Sequence, residues 1–554
     1  MKRLFALLLI VVMVCSMFAA CGKDPNPTDG KDTTPGTTAG VGDTTPDTTP
    51  TQPEEFKNTD KYPLEGEHKL SMAVALEDAA NSYLFGMMSK ATGIDFTYQY
   101  VTSEQAPLLF VEEDNMPDVF FGPRGGFGLS LNQIYEYGVG GALINFMDYL
   151  DKMPNLAKAY ADHPDLFDGV MNADGSVYTI PYYVFTLTGV NNLFYYREDH
   201  MKAAGWDKAP TTTEEFTKYL KDLKAHFGAN DSQYIPFTVY QASHLAYNGQ
   251  ISRYLFPTFG DLMEAGITAD STGKKVVAGF ATEQYKRYVT YLNGLMKEGL
   301  LDPDAFSAKG SLMKAFINEG HTSVNSLMVY MTESCFPSGN LDIILPAPLK
   351  SEYNNDTKWA TPTVASNWAG MISKNCSDLD AALAYIDAYF ATEDNALNEE
   401  GTIFNLSFWL GEKGVDWDWK VQGESYIKYE HTSQWEAQGY SGTPYIGKFT
   451  VLNYDHNDKV GFKALEVQKN LIPISVDVLR STSLPLTQDE QEEYTDAWQD
   501  LSKYIDQMNA AFIRGEADPE KDWDEYIAKL NSMGLQDVLD IYQAALDRYN
   551  ARQN

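Results

Sequence analysis

From residue 68 onward, apolar and polar positions follow two periods. His68 to Leu76 (HKLSMAVAL) and Asp95 to Val101 (DFTYQYV) read as strands. Between them Leu84, Met87, Met88 and Ala91 recur at helical spacing until Gly93, which predicts an amphipathic helix closed by a glycine. Asp118 to Phe121 (DVFF) reads as a short buried strand, followed by the Gly-rich turn GPRGGFG. Strand, helix and strand in this order predict a parallel sheet, whose ligand crevice lies at the strand ends.

Helical patterning dominates further on. In APTTTEEF, Thr211 and Thr212 pair with Glu214 and Glu215 as capping boxes ahead of an apolar face at Phe216, Leu220, Leu223 and Phe227. A second helix carries Tyr285, Tyr288, Val289, Leu292 and Met296 and stops at Gly299. Near the C-terminus, Thr487 and Glu490 form another capping box before Tyr494, Trp498, Leu501, Ile505, Met508 and Phe512. That stripe spans under three heptads, so it reads as core packing rather than a coiled coil.

The first residues follow neither period. Lys2 and Arg3 precede a nearly continuous apolar run from Leu4 to Met17, and Phe18, Ala19 and Ala20 lead to Cys21, the layout of a secretory leader. Small residues before a cysteine resemble the lipobox of bacterial lipoproteins, with Phe18 in place of the usual Leu. The resemblance implies cleavage after residue 20 and acyl chains, palmitate among them, on Cys21. Rival readings are an uncleaved anchor and plain secretion. From Gly22 to Asp60 the only aromatic or large aliphatic residues are Val41 and Phe56 among recurring Thr, Pro, Gly and Asp. Such a segment cannot bury enough apolar surface to offset its chain entropy. It reads as a disordered tether spanning roughly 30–40 Å.

Composition narrows the function classes. The 554 residues are 44% hydrophobic, enough for a large core or two domains. A net charge of −35, more negative still without Lys2 and Arg3, argues against nucleic acid, whose phosphates need basic patches. Downstream of the leader only Cys21, Cys335 and Cys376 remain, too few for a disulfide framework. A Cys335–Cys376 bridge and two free thiols both stay open. No H-E-x-x-H, C-x-x-C, G-x-S-x-G or Gly-rich phosphate loop occurs, and the 8 histidines are scattered. An enzyme needing only two carboxylates, such as a glycosidase, is not excluded among 77 acids.

Several segments together resemble the family 1 extracellular solute-binding proteins, specifically the large oligosaccharide-importer lipoproteins of Gram-positive bacteria. They are MPDVFF (Met116 to Phe121), ALINFMDYLDKMPN (Ala142 to Asn155), DGSVYTIPYY (Asp174 to Tyr183), the stretch from Phe194 to Phe216, YLNGLMKEGLLDPDAF (Tyr291 to Phe306) and the region from Phe512 to Asn550. The resemblance implies an α/β, type II periplasmic-binding-protein fold: two α/β lobes joined by a multi-stranded hinge, with a helical C-terminal region. It implies a leader at 1–20, a lipid-anchored tether at 21–62, a first lobe of 63–187 and 370–445, and a second of 188–369 and 446–554. Crossings between lobes are expected near Val184 to Tyr196, near Ala365 to Ser373 and near NLIPISVDV. A loop that carries a calcium-binding run in many relatives is only FGANDSQYIPF here. With Asn230 and Asp231 as its only Asn or Asp side chains and no Glu, six to eight calcium ligands are hard to supply. The loop is expected to hold no metal.

The implied function is binding, not catalysis: capture of a carbohydrate at the outer face of the cell membrane and delivery to the permease subunits of an ABC importer. A monomer is expected, without cofactor. Rival readings are a secreted glycoside hydrolase and a carbohydrate adhesin or sensor. A sugar offers a C–H face and a hydroxyl rim, so its cleft needs flat rings and planar hydrogen-bonding groups, for which 9 Trp and 35 Tyr are available. Position selects Glu77 and Asp78 after the first strand, Arg124 after the third, and Tyr182, Tyr183 and Trp368 at the crossings. Tyr240 and Gln241 follow the IPFTVY strand. Trp409 and Trp417 lie in FWLGEKGVDWDW, which resembles a Gly-x-x-Gly loop of the family.

Overall fold

The computed structural model describes residues 56–111, 116–121, 127–185, 192–328, 343–356, 358–362, 367–421, 425–428, 445–448, 452–453, 474–479 and 484–553. The leader, Cys21, most of the tether, Arg124 and Cys335 lie outside these residues. Phe56 to Asn554 form one compact unit. Among the described residues no helix is long and apolar enough to cross a membrane.

Of the sixteen strands among the described residues, eleven organise the two main sheets and the crossings between them. Along the chain they are β1 (His68–Val74), β2 (Ile94–Tyr100), β3 (Val119–Phe121), β4 (Ile180–Phe185), β5 (Asn192–Arg197), β6 (Val324–Met328), β7 (Ile343–Ile344), β8 (Trp359–Pro362), β9 (Asn367–Ile372), β10 (Tyr445–Lys448) and β11 (Ser475–Val478). A 6-stranded sheet has the order β10-β4-β9-β3-β1-β2. In it β1 is parallel to β2 and β3, β10 is parallel to β4, and β9 runs antiparallel to β3 and β4. The sheet is therefore mixed rather than parallel. The reason is topological: β4 leaves by its carboxyl end, so β9, re-entering through the same edge, must run the opposite way.

A second sheet has the order β6-β5-β7 and is antiparallel, and β8 pairs in parallel with β11. Two apolar cores match this division. One gathers β1 to β4, β9 and the helices Tyr83–Thr92, Pro154–Asp162 and Leu379–Ala388. The other gathers β5, the helices Thr213–Phe227 and Glu283–Lys297, and the C-terminal helices Gln488–Arg514, Trp523–Ser532 and Leu535–Gln553. These are two lobes, and the chain passes between their sheets from β4 to β5, from β8 to β9 and from β10 to β11.

Local signals explain the helix ends. Leu84, Met87, Met88 and Ala91 are buried, and Gly93 closes their helix at φ +76. Only a residue free of Cβ crowding enters that conformation at no cost. Thr487 and Glu490 form a complete capping box, worth about 1 kcal/mol. At the earlier helix the cap is divided: Thr212 accepts the Glu215 N–H, while the Glu215 carboxylate reaches back to Thr211 rather than Thr212. Leu501, Ile505 and Phe512 are fully buried in the second core, with Tyr494, Trp498 and Met508 packed against it.

Folded structure begins before residue 62, inside the stretch expected from its composition to be a tether. Asn58 to Asp60 form a 3₁₀ turn, and Tyr62 is buried with its hydroxyl donating to the Ala384 carbonyl at 2.6 Å. Lys61 lies 3.3 Å from the buried carboxylate of Asp387. Asn58 exchanges hydrogen bonds with Asn155 at 2.8 and 3.0 Å. Composition hides this anchorage, because its partners lie far along the chain.

Candidate functional site

The strand directions define an edge. β1, β2, β3 and β10 end there, and β4 leaves through it toward the second lobe. Glu77 and Asp78 lie exposed in the turn after β1, and Asp78 accepts a hydrogen bond from the Asn81 amide at 2.7 Å. Tyr100, 48% exposed, closes β2 opposite Val74. Tyr83, 40% exposed, opens the helix that follows the β1 turn.

At the crossings, pairing of β4 with β9 sets Tyr182 opposite Asn367 and Trp368 opposite Pro181, while β10 sets Tyr445 and Ile446 opposite Tyr182 and Tyr183. The backbone thus brings Tyr182, Tyr183 and Trp368 to adjoining strands. Their side chains, like that of Trp409, lie outside the description. Trp409 belongs to the short helix Ser407–Leu410. Trp417 is fully buried, its indole N–H donating to the Gly411 carbonyl at 2.9 Å and its ring packed against Phe404 and Trp419. It fastens its own loop.

In the second lobe, the chain before Tyr240 runs beside β6 through a parallel bridge from Phe237 to Val324. Tyr240 is buried with Tyr195, Met313, Ile317 and Ile343, and Gln241 is half-buried just before a 3₁₀ turn. That turn carries His244, whose Nδ1 lies 2.8 Å from Ser326 Oγ. Burial, assisted by the charge of Arg253, lowers this imidazole to about 4, so it is neutral at ordinary pH. Its Nε2 has no partner among the described residues, nor has the amide of buried Asn325.

Sequence reasoning missed Tyr83, Tyr100, His244 and Asn325. The first two were findable, since each sits where a parallel strand or its connecting helix meets the carboxyl edge. The other two follow no local signal.

In the loop after Phe227, Asp231 Oδ2 pairs with His321 Nδ1 at 2.6 Å and Oδ1 accepts the Gln233 N–H. The Asp231 contact is the foremost of the causes that raise His321. Among the described residues no group of three or more His, Cys, Asp or Glu side chains is placed to hold a metal. Cys376 is a half-buried free thiol that burial pushes up to about 12.

Two α/β lobes, joined by several chain crossings at one sheet edge, make the architecture of a two-lobe solute-binding protein. The chain belongs to the bacterial extracellular solute-binding protein family, whose sequence profile matches residues 71–396. It is 23% identical over 524 residues to the fructooligosaccharide ABC transporter substrate-binding protein FusA of Streptococcus pneumoniae, covering 89% of this chain and 93% of that one. An HMO-binding, ABC-transporter-associated solute-binding protein of Bifidobacterium longum infantis superimposes with a TM-score of 0.68 at 18% identity, over 88% of this chain and 99% of that one. The S. pneumoniae FusA structure in complex with kestose gives 0.62 at 19% identity, over 87% and 100%.

Proposed function

We propose that this chain is an extracellular, lipid-anchored substrate-binding protein that captures a neutral oligosaccharide between its lobes and delivers it to an ABC importer, without a chemical step. The observation that carries the reading is the shared edge: β1 to β3 and β10 end where β4 leaves for the second lobe. A ligand seated there touches both halves only when they are closed, so binding shifts the population toward the closed form. Exposed Tyr83 and Tyr100 supply ring faces for sugar C–H groups, and the relatives named above carry oligosaccharides in their descriptions. Acyl chains on Cys21 would hold the protein at the membrane, and a flexible leash raises its effective concentration near the permeases.

A thermal-melting screen of the purified chain against neutral oligosaccharides and short peptides tests this. At one hundred times its dissociation constant a bound sugar adds about 2.7 kcal/mol. A rise in melting temperature with oligosaccharides alone is the expected result. Stabilisation by peptides alone, or by no sugar, overturns it.

A further inference from the structure

Tyr83 combines two properties that rarely meet in one side chain. Its ring is 40% exposed at the carboxyl edge of the first sheet, yet its hydroxyl is pinned, donating to Asp416 Oδ2 at 2.8 Å across 333 residues of sequence. Asp416 is itself only 6% exposed, and the same oxygen accepts the Glu412 backbone N–H at 2.7 Å. The loop is built to bring this carboxylate in. Gly411 sits at φ +89, and a Cβ there would collide with the Asp416 side chain. The Trp417 indole holds the Gly411 carbonyl, and Thr402 Oγ1 donates to Glu412 Oε1 at 2.8 Å.

An exposed tyrosine ordinarily keeps its rotamer freedom and its hydroxyl in water. Here the polar end is spent on a buried acceptor, so the part left to solvent is ring. A plate already fixed in one orientation loses little entropy when a partner lies on it. It also stands where β1 and β2 end, the edge that the solute must meet.

We propose that Tyr83 is a preset stacking plate for one sugar ring on the first-lobe side of the cleft, and that Asp416, which does not touch the sugar, is its positioning residue. The loop of Gly411 to Trp417 thereby sets affinity from behind the plate. This rests on the oligosaccharide reading given above, and the test separates the two.

The full chain and four variants, Tyr83→Ala, Tyr83→Phe, Asp416→Ala and Asp416→Asn, are titrated calorimetrically with short fructo-, galacto-, malto- and xylo-oligosaccharides. Melting of each free variant checks folding. Tyr83→Ala should weaken the best parent ligand by about tenfold or more, equivalent to ~1.4 kcal/mol. Tyr83→Phe and Asp416→Ala keep the ring but free it, so both should lose less than Tyr83→Ala and by similar factors. Asp416→Asn retains an acceptor oxygen for the phenol and should rescue affinity relative to Asp416→Ala; because the same oxygen takes the Glu412 N–H, it is a loss in Asp416→Ala well beyond that of Tyr83→Phe that would mark a purely structural role and overturn the positioning one. Parent binding with Tyr83→Ala unchanged overturns the plate and leaves the oligosaccharide reading standing. A parent that binds none of these sugars overturns both.

Discussion

Replacing Lys61 by Met probes how the first residues of the compact unit are fastened to the fold. The change keeps the aliphatic stem and removes the charge that faces Asp387, whose side chain is 0% exposed. Breaking a buried pair from one side costs about 3–5 kcal/mol, because a carboxylate is left unpaired in low dielectric. Asp387 keeps two other donors, the Asn155 amide and the Leu156 N–H, each at 3.0 Å. The loss is therefore expected at or just below the lower end, about 2–3 kcal/mol at pH 7.5. Burial already raises the Asp387 carboxyl above its usual range, with Lys61 opposing the rise, so Lys61→Met raises it further. The sign follows. An acid whose pKa is raised on folding contributes stability that is complete below its unfolded pKa and is lost as pH rises. The variant's deficit should thus shrink as the pH falls toward 5, because the orphaned carboxyl takes up its proton at a higher pH than the paired one. Urea unfolding followed by tryptophan fluorescence at the two pH values measures both quantities. A cost below about 0.5 kcal/mol at pH 7.5, the range of an exposed ion pair, or a deficit that does not shrink at pH 5, refutes the argument.

Three further outcomes are expected. The Tyr549 hydroxyl on the last helix donates to Asp168 of the first lobe at 2.8 Å, beside a cavity of about 110 Å³, and burial, with Asp165 adding to it, raises that carboxyl to about 6 against the opposing effects of Tyr549 and Arg552. Tyr549→Phe should destabilise the protein by about 1 kcal/mol at pH 7.5 and by less at pH 5, where Asp168 is protonated; equal melting shifts at both values would exclude this. Asn325→Leu removes a buried amide that has no partner among the described residues and should stabilise by about 1–2 kcal/mol in urea unfolding, whereas a loss of stability would mean that the amide is satisfied. Trp368→Ala should weaken a sugar found in the melting screen by about tenfold or more, and unchanged affinity in calorimetry would remove Trp368 from the site.

Much of the first lobe was legible, because strand and helix periods depend on neighbours within a few residues. The strands around Met72 and Phe96, and the helix closed by Gly93, lie where the patterning puts them. Site residues were less legible. Glu77 and Asp78 reach the edge as their place after β1 implies, whereas Trp417, chosen for its residue type and loop, is enclosed by its own segment. Residue type cannot separate a wall ring from a packing ring, since both bury a face and seek one acceptor for the polar group.

By itself the sequence determined the elements: apolar stripes at helical spacing, Thr and Glu caps, and glycines at helix ends. Each depends on contacts within about one or two helical turns, which composition and spacing encode. Tertiary structure decided what joins across the chain. It drew Lys61 onto Asp387, 326 residues away, and Tyr83 onto Asp416, 333 residues away. It also turned a strand returning from the second lobe antiparallel in the first sheet. Burial and partner choice at such distances are set by packing of whole lobes, and no local pattern carries them.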